Sequence, residues 1–370
     1  MKISSVEAVP LLASFKTMFR FGTSDRSASP NVVVIIRTDE GPTGYGEACP
    51  VPAFTSETQN SVVELLEERV APVLVGRDPR HRLPLLHDLA HSLTSAPFTL
   101  AAVDTALLDL VGRALDVPVH TLLGGGFRER IEVHGSVGWD ESAGMMVETA
   151  LKQADTYRWL KLYAGRGDVD ADLDRLQAVR DAVGPDVGLF VDINAMWTPS
   201  DLIRALSRIE AIGLSMLEQP LPRTAAAYQY ELVGDLRVDV AADEAVRTVA
   251  DAAEVVRERL ATVVNLGHSK LGGPTAALHA AQIAAAGGTG VMVGSVIEMG
   301  VATAMGLHLA AALPTLSYPS YLMGPLKYRQ QITEQQVEVI DGHIAVPEGP
   351  GLGFTVDERE LRRLDARRHC

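Results

Sequence analysis

Asp192 in FVDIN, Glu218 in MLEQP and Asp243 in AADEA each close a short apolar run. The intervals are nearly equal, 26 residues from 192 to 218 and 25 from 218 to 243. Acids ending successive strand-helix units at that spacing arrive at one rim, side by side. Any one of them alone is satisfied as a helix cap or as the partner of a surface lysine. Three together repel unless a cation lies among them, and an all-oxygen donor set suits Mg2+, with Mn2+ as the alternative. Asn194, Gln219 and Glu244 adjoin the acids in sequence and are candidates to orient them. A second stretch, RWLKLYAG at 158–165, carries Lys161 and Tyr163 two residues apart. In a strand both point to the same face.

The elements that must position these groups follow from the pattern around them. After Gly126, short apolar strands alternate with amphipathic helices: strands at 131–138, 158–165, 187–194, 214–220, 238–244, 262–269, 289–296 and 316–322. Helices are predicted over 143–156, 170–183, 200–212, 225–234, 248–260, 274–286 and 300–313. Strict alternation implies a parallel sheet, and eight such strands imply a closed barrel of the TIM type, an α/β fold. No glycine-rich phosphate turn follows a strand, which disfavours a doubly wound sheet. Residues 1–50 read as a β-meander and 56–125 as helices, together an α+β module over 1–125. The barrel spans 126–323, and the tail over 324–370 reads as a return to the first module.

Composition sets the outer bounds. A chain of 370 residues is long enough for a barrel plus an accessory domain. A formal net charge of −14 disfavours nucleic acid or an anionic membrane as partner. The apolar stretch over 291–314 contains Glu298, His308 and glycines, and reads as strand, loop and buried helix rather than a membrane span. Cys49 and Cys370 offer no disulfide framework, and Glu7 and Pro10 interrupt any signal-peptide core, so a cytoplasmic location is expected.

These motifs resemble the enolase superfamily, specifically its muconate lactonizing enzyme subgroup. The resemblance runs through GYGEA, LLGG, VDIN, LEQP, ADE, KLGG at 270–273, VGSVIE at 293–298 and PGLG at 350–353. It implies a modified (β/α)7β barrel, a capping domain built from both termini, and a homo-oligomer. Asp192, Glu218 and Asp243 match the family's metal ligands. The implied chemistry is removal of a proton alpha to a carboxylate, or addition to an alkene conjugated with one, through an enediolate that a divalent cation stabilises.

The sequence departs from that family where protons move. The second strand of the subgroup ends K-x-K, and its second lysine is the acid/base group; here Tyr163 follows Lys161. The sixth strand's expected lysine position holds Gly267, with Lys270 at the later basic position. Two-base racemisation is therefore disfavoured, because it needs a group on each face of the alpha carbon. A one-face elimination or cycloisomerisation of a small carboxylate fits better, with Tyr163, Lys161, Lys270 and Glu298 as the candidate catalytic set. Tyr163 serves as acid, or as base if Lys161 and the metal lower its pKa; packing alone is the competing role. Arg20, Phe21, Phe54, Asn194 and His268 are the candidate substrate contacts. A catalytically silent binding protein with the same fold and metal is the competing reading.

Overall fold

The computed structural model describes residues 1–22, 24–225, 228–229 and 237–368. The opening meander comprises β1 (Ile3–Pro10), β4 (Val32–Thr38) and β5 (Gly44–Ala48), antiparallel in the order β1-β4-β5. Between its first two strands lies a hairpin that the pattern did not reveal, β2 (Ala13–Phe21) against β3 (Ser24–Ser29). Its residues are largely polar and its register shifts between Ser14 and Phe19, so no alternation marks it. The helix Pro97–Leu115 lies against β5 so closely that a Cβ on Gly46 would stand 1.8 Å from the Ala102 carbonyl oxygen. Glycine is needed there for approach, not for backbone freedom.

The barrel sheet is parallel, with strands in chain order: β7 (Gly135–Val137), β8 (Trp159–Tyr163), β9 (Gly188–Asp192), β10 (Met216–Glu218), β11 (Asp239–Ala242), β12 (Val263–Asn265) and β13 (Gly290–Met292). Helices at Ala143–Ala154, Val169–Val183, Pro199–Ile212, Val249–Glu258, Pro274–Ala286 and Gly300–Ala312 follow as the periodicity predicts. The helix expected over 225–234 lies largely outside the described residues. Phe190, Met216, Ala241, Val263, Met292 and Tyr318 pack together inside the ring and fill its lower half.

Two expected strands differ. The one over 131–138 is split: β6 (Arg130–Glu132) pairs antiparallel with β14 (His343–Ala345) of the tail, and only β7 joins the barrel. The segment over 316–322 forms no regular strand, because Pro319 has no N–H to give. It still closes the ring. Ser317 and Tyr321 donate to Val291 and Val293 on one side, at 2.8 and 3.0 Å. Ser320 exchanges backbone bonds with Glu132 and His134 on the other, at 2.9 and 3.3 Å. The tail then runs through β14 to the helix Glu358–Leu364, where Glu358 accepts from Arg37 at 3.0 Å and from the Tyr45 hydroxyl at 2.7 Å in the meander. Among the described residues no helix is long and apolar enough to cross a membrane.

Candidate active site

Register explains how the acids meet. Tyr163, Asp192 and Glu218 are paired across β8, β9 and β10, and paired residues in a parallel sheet share a face. Glu218 pairs with Ala241, so Asp243, two residues on, faces the same way at the end of β11. That face is the barrel interior, since Phe190, Met216 and Ala241 alternate with these residues on it. Lys161, opposite Phe190, points inward as well. Beyond the strands the chain turns sharply over the rim, with Asn194, Ala195 and Gln219 at φ of +48°, +60° and +37°. Such left-handed non-glycine backbone costs energy and recurs where a site fixes geometry.

Side chains then lock the acids. The Lys161 ammonium lies 2.7 Å from Asp192 Oδ2 and 2.9 Å from Glu218 Oε2. The same ammonium thus serves both carboxylates, and Glu218 Oε2 is buried with no partner besides it among the described residues. Asn265 Nδ2 donates to Glu218 Oε1 at 2.8 Å, and the Asn194 N–H donates to Asp192 Oδ1 at 2.9 Å. Gln219 Oε1 accepts from the N–H groups of Asp243 and Ala245, both at 3.0 Å, tying two strand ends together. Lys270 Nζ donates to Asp243 Oδ1 and to its carbonyl, both at 2.6 Å. A Cβ on Gly267 would touch Lys270 Cγ and Cε at 3.3 Å, so the Lys270 stem lies across the place where a side chain at 267 would start.

Burial dominates the electrostatics. It raises Glu218 to about 7, against the pull of Lys161 and with help from Asp192 and Asp243. It also raises Asp192, and Glu244 well above the carboxylate range, the latter with Asp243 and Asp192 adding to the effect. Burial alone would lower Lys161, but the Asp192 and Glu218 carboxylates lift it well above the ordinary lysine value. Tyr163 is raised by burial, and the opposing charge of Lys161 does not overcome it. Without a further cation the phenol therefore stays protonated, contrary to a lowering by Lys161 alone. Lys161 Nζ is 5.3 Å from the Tyr163 ring centre, and Phe19 of the hairpin sets its edge to that ring at 5.6 Å.

A cavity of about 440 Å3 opens above this floor, lined by Lys161, Tyr163, Asp192, Asp243 and Lys270 together with Phe54 and Asn194. Glu218 is fully buried behind that surface. Other candidates lie elsewhere. Glu298 accepts from Ser269 at 2.8 Å, from the Val296 N–H at 3.0 Å and from Ser295, which holds it in its own loop outside the cavity lining. His268 is buried outside the lining, with neither ring nitrogen partnered. Arg20, expected at the substrate, instead pairs with Asp25 at 3.7 Å and Asp140 at 3.6 Å, away from the cavity. The Phe21 side chain lies outside the described residues. Sequence reasoning missed Asn265, Tyr321 and Arg247, all of which line the cavity; His134, which the sequence puts near the rim but reads as more often structural, lines it too. Asn265 was discoverable by position, since it ends its strand as the acids end theirs.

Comparison with known proteins agrees with this architecture. Residues 7–124 match the mandelate racemase / muconate lactonizing enzyme N-terminal domain, and 145–360 match the enolase C-terminal domain-like family. The chain is 33% identical to muconate cycloisomerase 1 of Rhodococcus opacus, covering 96% of each chain. It is 31% identical to the L-Ala-D/L-Glu epimerase of Bacillus subtilis, covering 96% of this chain and 97% of that one. The crystal structure of a Pseudomonas fluorescens muconate lactonizing enzyme with muconolactone superposes with a TM-score of 0.94 at 30% identity, over 98% of this chain and 99% of that chain. With both domains matched and relatives aligned end to end, the chain belongs to the mandelate racemase/muconate lactonizing enzyme family of the enolase superfamily, a family of enzymes.

Proposed function

We propose that this protein is a divalent-metal-dependent isomerase or lyase that moves a proton at the carbon alpha to a small substrate's carboxylate. The observation that carries it is the inward row Tyr163, Asp192, Glu218 and Asp243, with Lys161 wedged between two of the acids. The residues fit a cation: the donors are all oxygens, Glu218 Oε2 has no partner but the Lys161 ammonium among the described residues, and the acids raise one another's pKa. The Lys161 ammonium stands between Asp192 and Glu218, so a cation held by the same oxygens would compete with it for that place. Asp192, Glu218 and Asp243 would hold Mg2+ or Mn2+, which supplies Lewis-acid neutralisation of charge developing on the substrate carboxylate.

The chain's own groups divide the remaining work. Lys161, displaced from the acids, is placed to bind a carboxylate oxygen, and Tyr163 beside it holds a proton on the same face. Asn265 and Gln219 keep the acids oriented. Tyr163 lines the cavity from the end of β8, and Lys270 lines it from the turn beyond β12. It is held there by two bonds to Asp243, which favours a one-face elimination or cycloisomerisation over racemisation. Incubation with Mg2+, a library of small carboxylates and D2O, followed by proton NMR, tests the reading. Deuterium entering the alpha position supports it. Metal-dependent binding with no exchange and no turnover across the library replaces it with a silent binding protein.

A further inference from the structure

Away from the acids, two polar side chains of the cavity lining have nothing to bond to. His134 and Tyr321 are 0% and 4% exposed, and both line the cavity. His134 Nδ1 lies 2.9 Å from the Gly135 carbonyl, which can only accept, so Nδ1 carries the proton. Burial, then the charge of Lys161, holds the imidazole down to about 3, so at neutral pH Nε2 presents a lone pair. Neither that nitrogen nor the Tyr321 hydroxyl has a hydrogen-bond partner among the described residues. The other unpartnered polar atoms of the lining, on Asn194, Asn265 and Glu244, adjoin the metal-ligand candidates. The two rings are fixed in place. They stack with centres 5.2 Å apart and planes 20° apart, and Phe190 meets the imidazole almost at right angles, 4.8 Å away. Their backbones bond across the barrel seam, the His134 N–H to the Ser320 carbonyl and the Tyr321 N–H to that of Val293.

We infer that His134 and Tyr321 form a subsite for a neutral hydrogen-bonding group of the substrate, a hydroxyl or an amide N–H carried on or next to its alpha carbon. The placement rests on the proposed function. With the carboxylate at Lys161 and the acids, the alpha carbon lies beside Tyr163, and Tyr321 is near enough to Tyr163 to add to the rise that burial gives its phenol. An O–H or N–H aimed at Nε2 supplies the donor that this nitrogen lacks, and the Tyr321 hydroxyl can donate to or accept from the same group. An alkyl substituent leaves both buried atoms unbonded, which is costly. Stacked rings on hydrogen-bonded staves need little further ordering when the ligand arrives, so most of that gain appears as affinity.

Matched pairs of carboxylates test it by titration calorimetry on the Mg2+-loaded protein. One pair is 2-hydroxy-3-phenylpropanoate and 3-phenylpropanoate; the other is N-acetylglycine and 4-oxopentanoate, in which a CH2 replaces the amide N–H. In at least one pair the donor-bearing member should bind about fivefold or more tightly, the scale of satisfying one buried polar atom. Tyr321→Phe, which deletes one oxygen, and His134→Phe should each shrink that ratio while the donor-free member stays within about twofold. Should His134→Phe not fold, Tyr321→Phe decides alone. Equal binding within both pairs means that ordered water alone meets these atoms, and it overturns the inference. So does an unchanged ratio in Tyr321→Phe, or a parallel loss for both members. Alpha-proton exchange without the preference overturns the subsite and leaves the proposed function standing; the preference without exchange or turnover keeps the subsite and overturns the proposed chemistry.

Discussion

Lys161 occupies the charge-balancing position among the acids, and burial keeps the phenol of its neighbour Tyr163 protonated. Removing only the phenolic oxygen isolates its role. Tyr163→Phe should lower kcat by at least about a hundredfold, the scale of a lost general acid or base, while the thermal midpoint stays nearly constant. If turnover persists, the ring only packs against Phe19. Asn265 acts through Glu218, so it is a positioning residue. Asn265→Ala should weaken Mg2+ binding by about tenfold or more, measured by calorimetry without substrate, as for other groups that orient metal ligands. At this scale the acids were legible because three charges repeated in register. Asn265 could be reached only by its position at a strand end, because a neutral amide carries no charge signal comparable to the acids. Arg20 misled because the hairpin that sets Asp25 opposite it has no marked alternation, and Asp140 arrives from a distant part of the chain.

Elements with one dominant period were read well. The helix Pro274–Ala286 has its predicted bounds, and six barrel strands lie within their predicted runs. Errors concentrate where pairing is decided by partners far away in sequence. Nothing near residue 130 says that Arg130–Glu132 will turn to a tail strand, and Pro319 removes regular pairing from a run that is otherwise strand-like. The contact between the capping helix and β5 makes a sharper case, since the need for glycine at 46 lies in a helix some fifty residues later. Gly46→Ala should destabilise the fold by about 2 kcal/mol or more, as overpacking against backbone does, seen as a lowered thermal midpoint. An unchanged midpoint would mean the helix can retreat at no cost.

At the scale of the whole molecule, a ligand that binds only the folded chain raises its stability by mass action. Mg2+ should therefore raise the thermal midpoint of the protein, and Asp192→Asn should remove that rise. Acid should act in the opposite sense. Burial, then the charge of Lys161, holds His134 down to about 3; burial, with His120 adding to it, holds His308 down to about 4. Imidazoles depressed in the fold take up protons more readily when unfolded. Their stability contribution is complete above about pH 6.5 and is lost as pH falls through 4 toward 3. His308→Gln should flatten the upper part of that acid limb in melts between pH 7 and 4, and an unchanged limb would mean His308 is already charged in the fold. The pairing of β6 with β14 carries a consequence for biosynthesis. Glu132 waits for His343, so a chain emerging from the ribosome completes every catalytic strand before the stretch entering the barrel has its partner. The nascent protein therefore carries β6 as an unpaired edge beside a ring that the segment over 316–322 can already close, until translation is nearly finished.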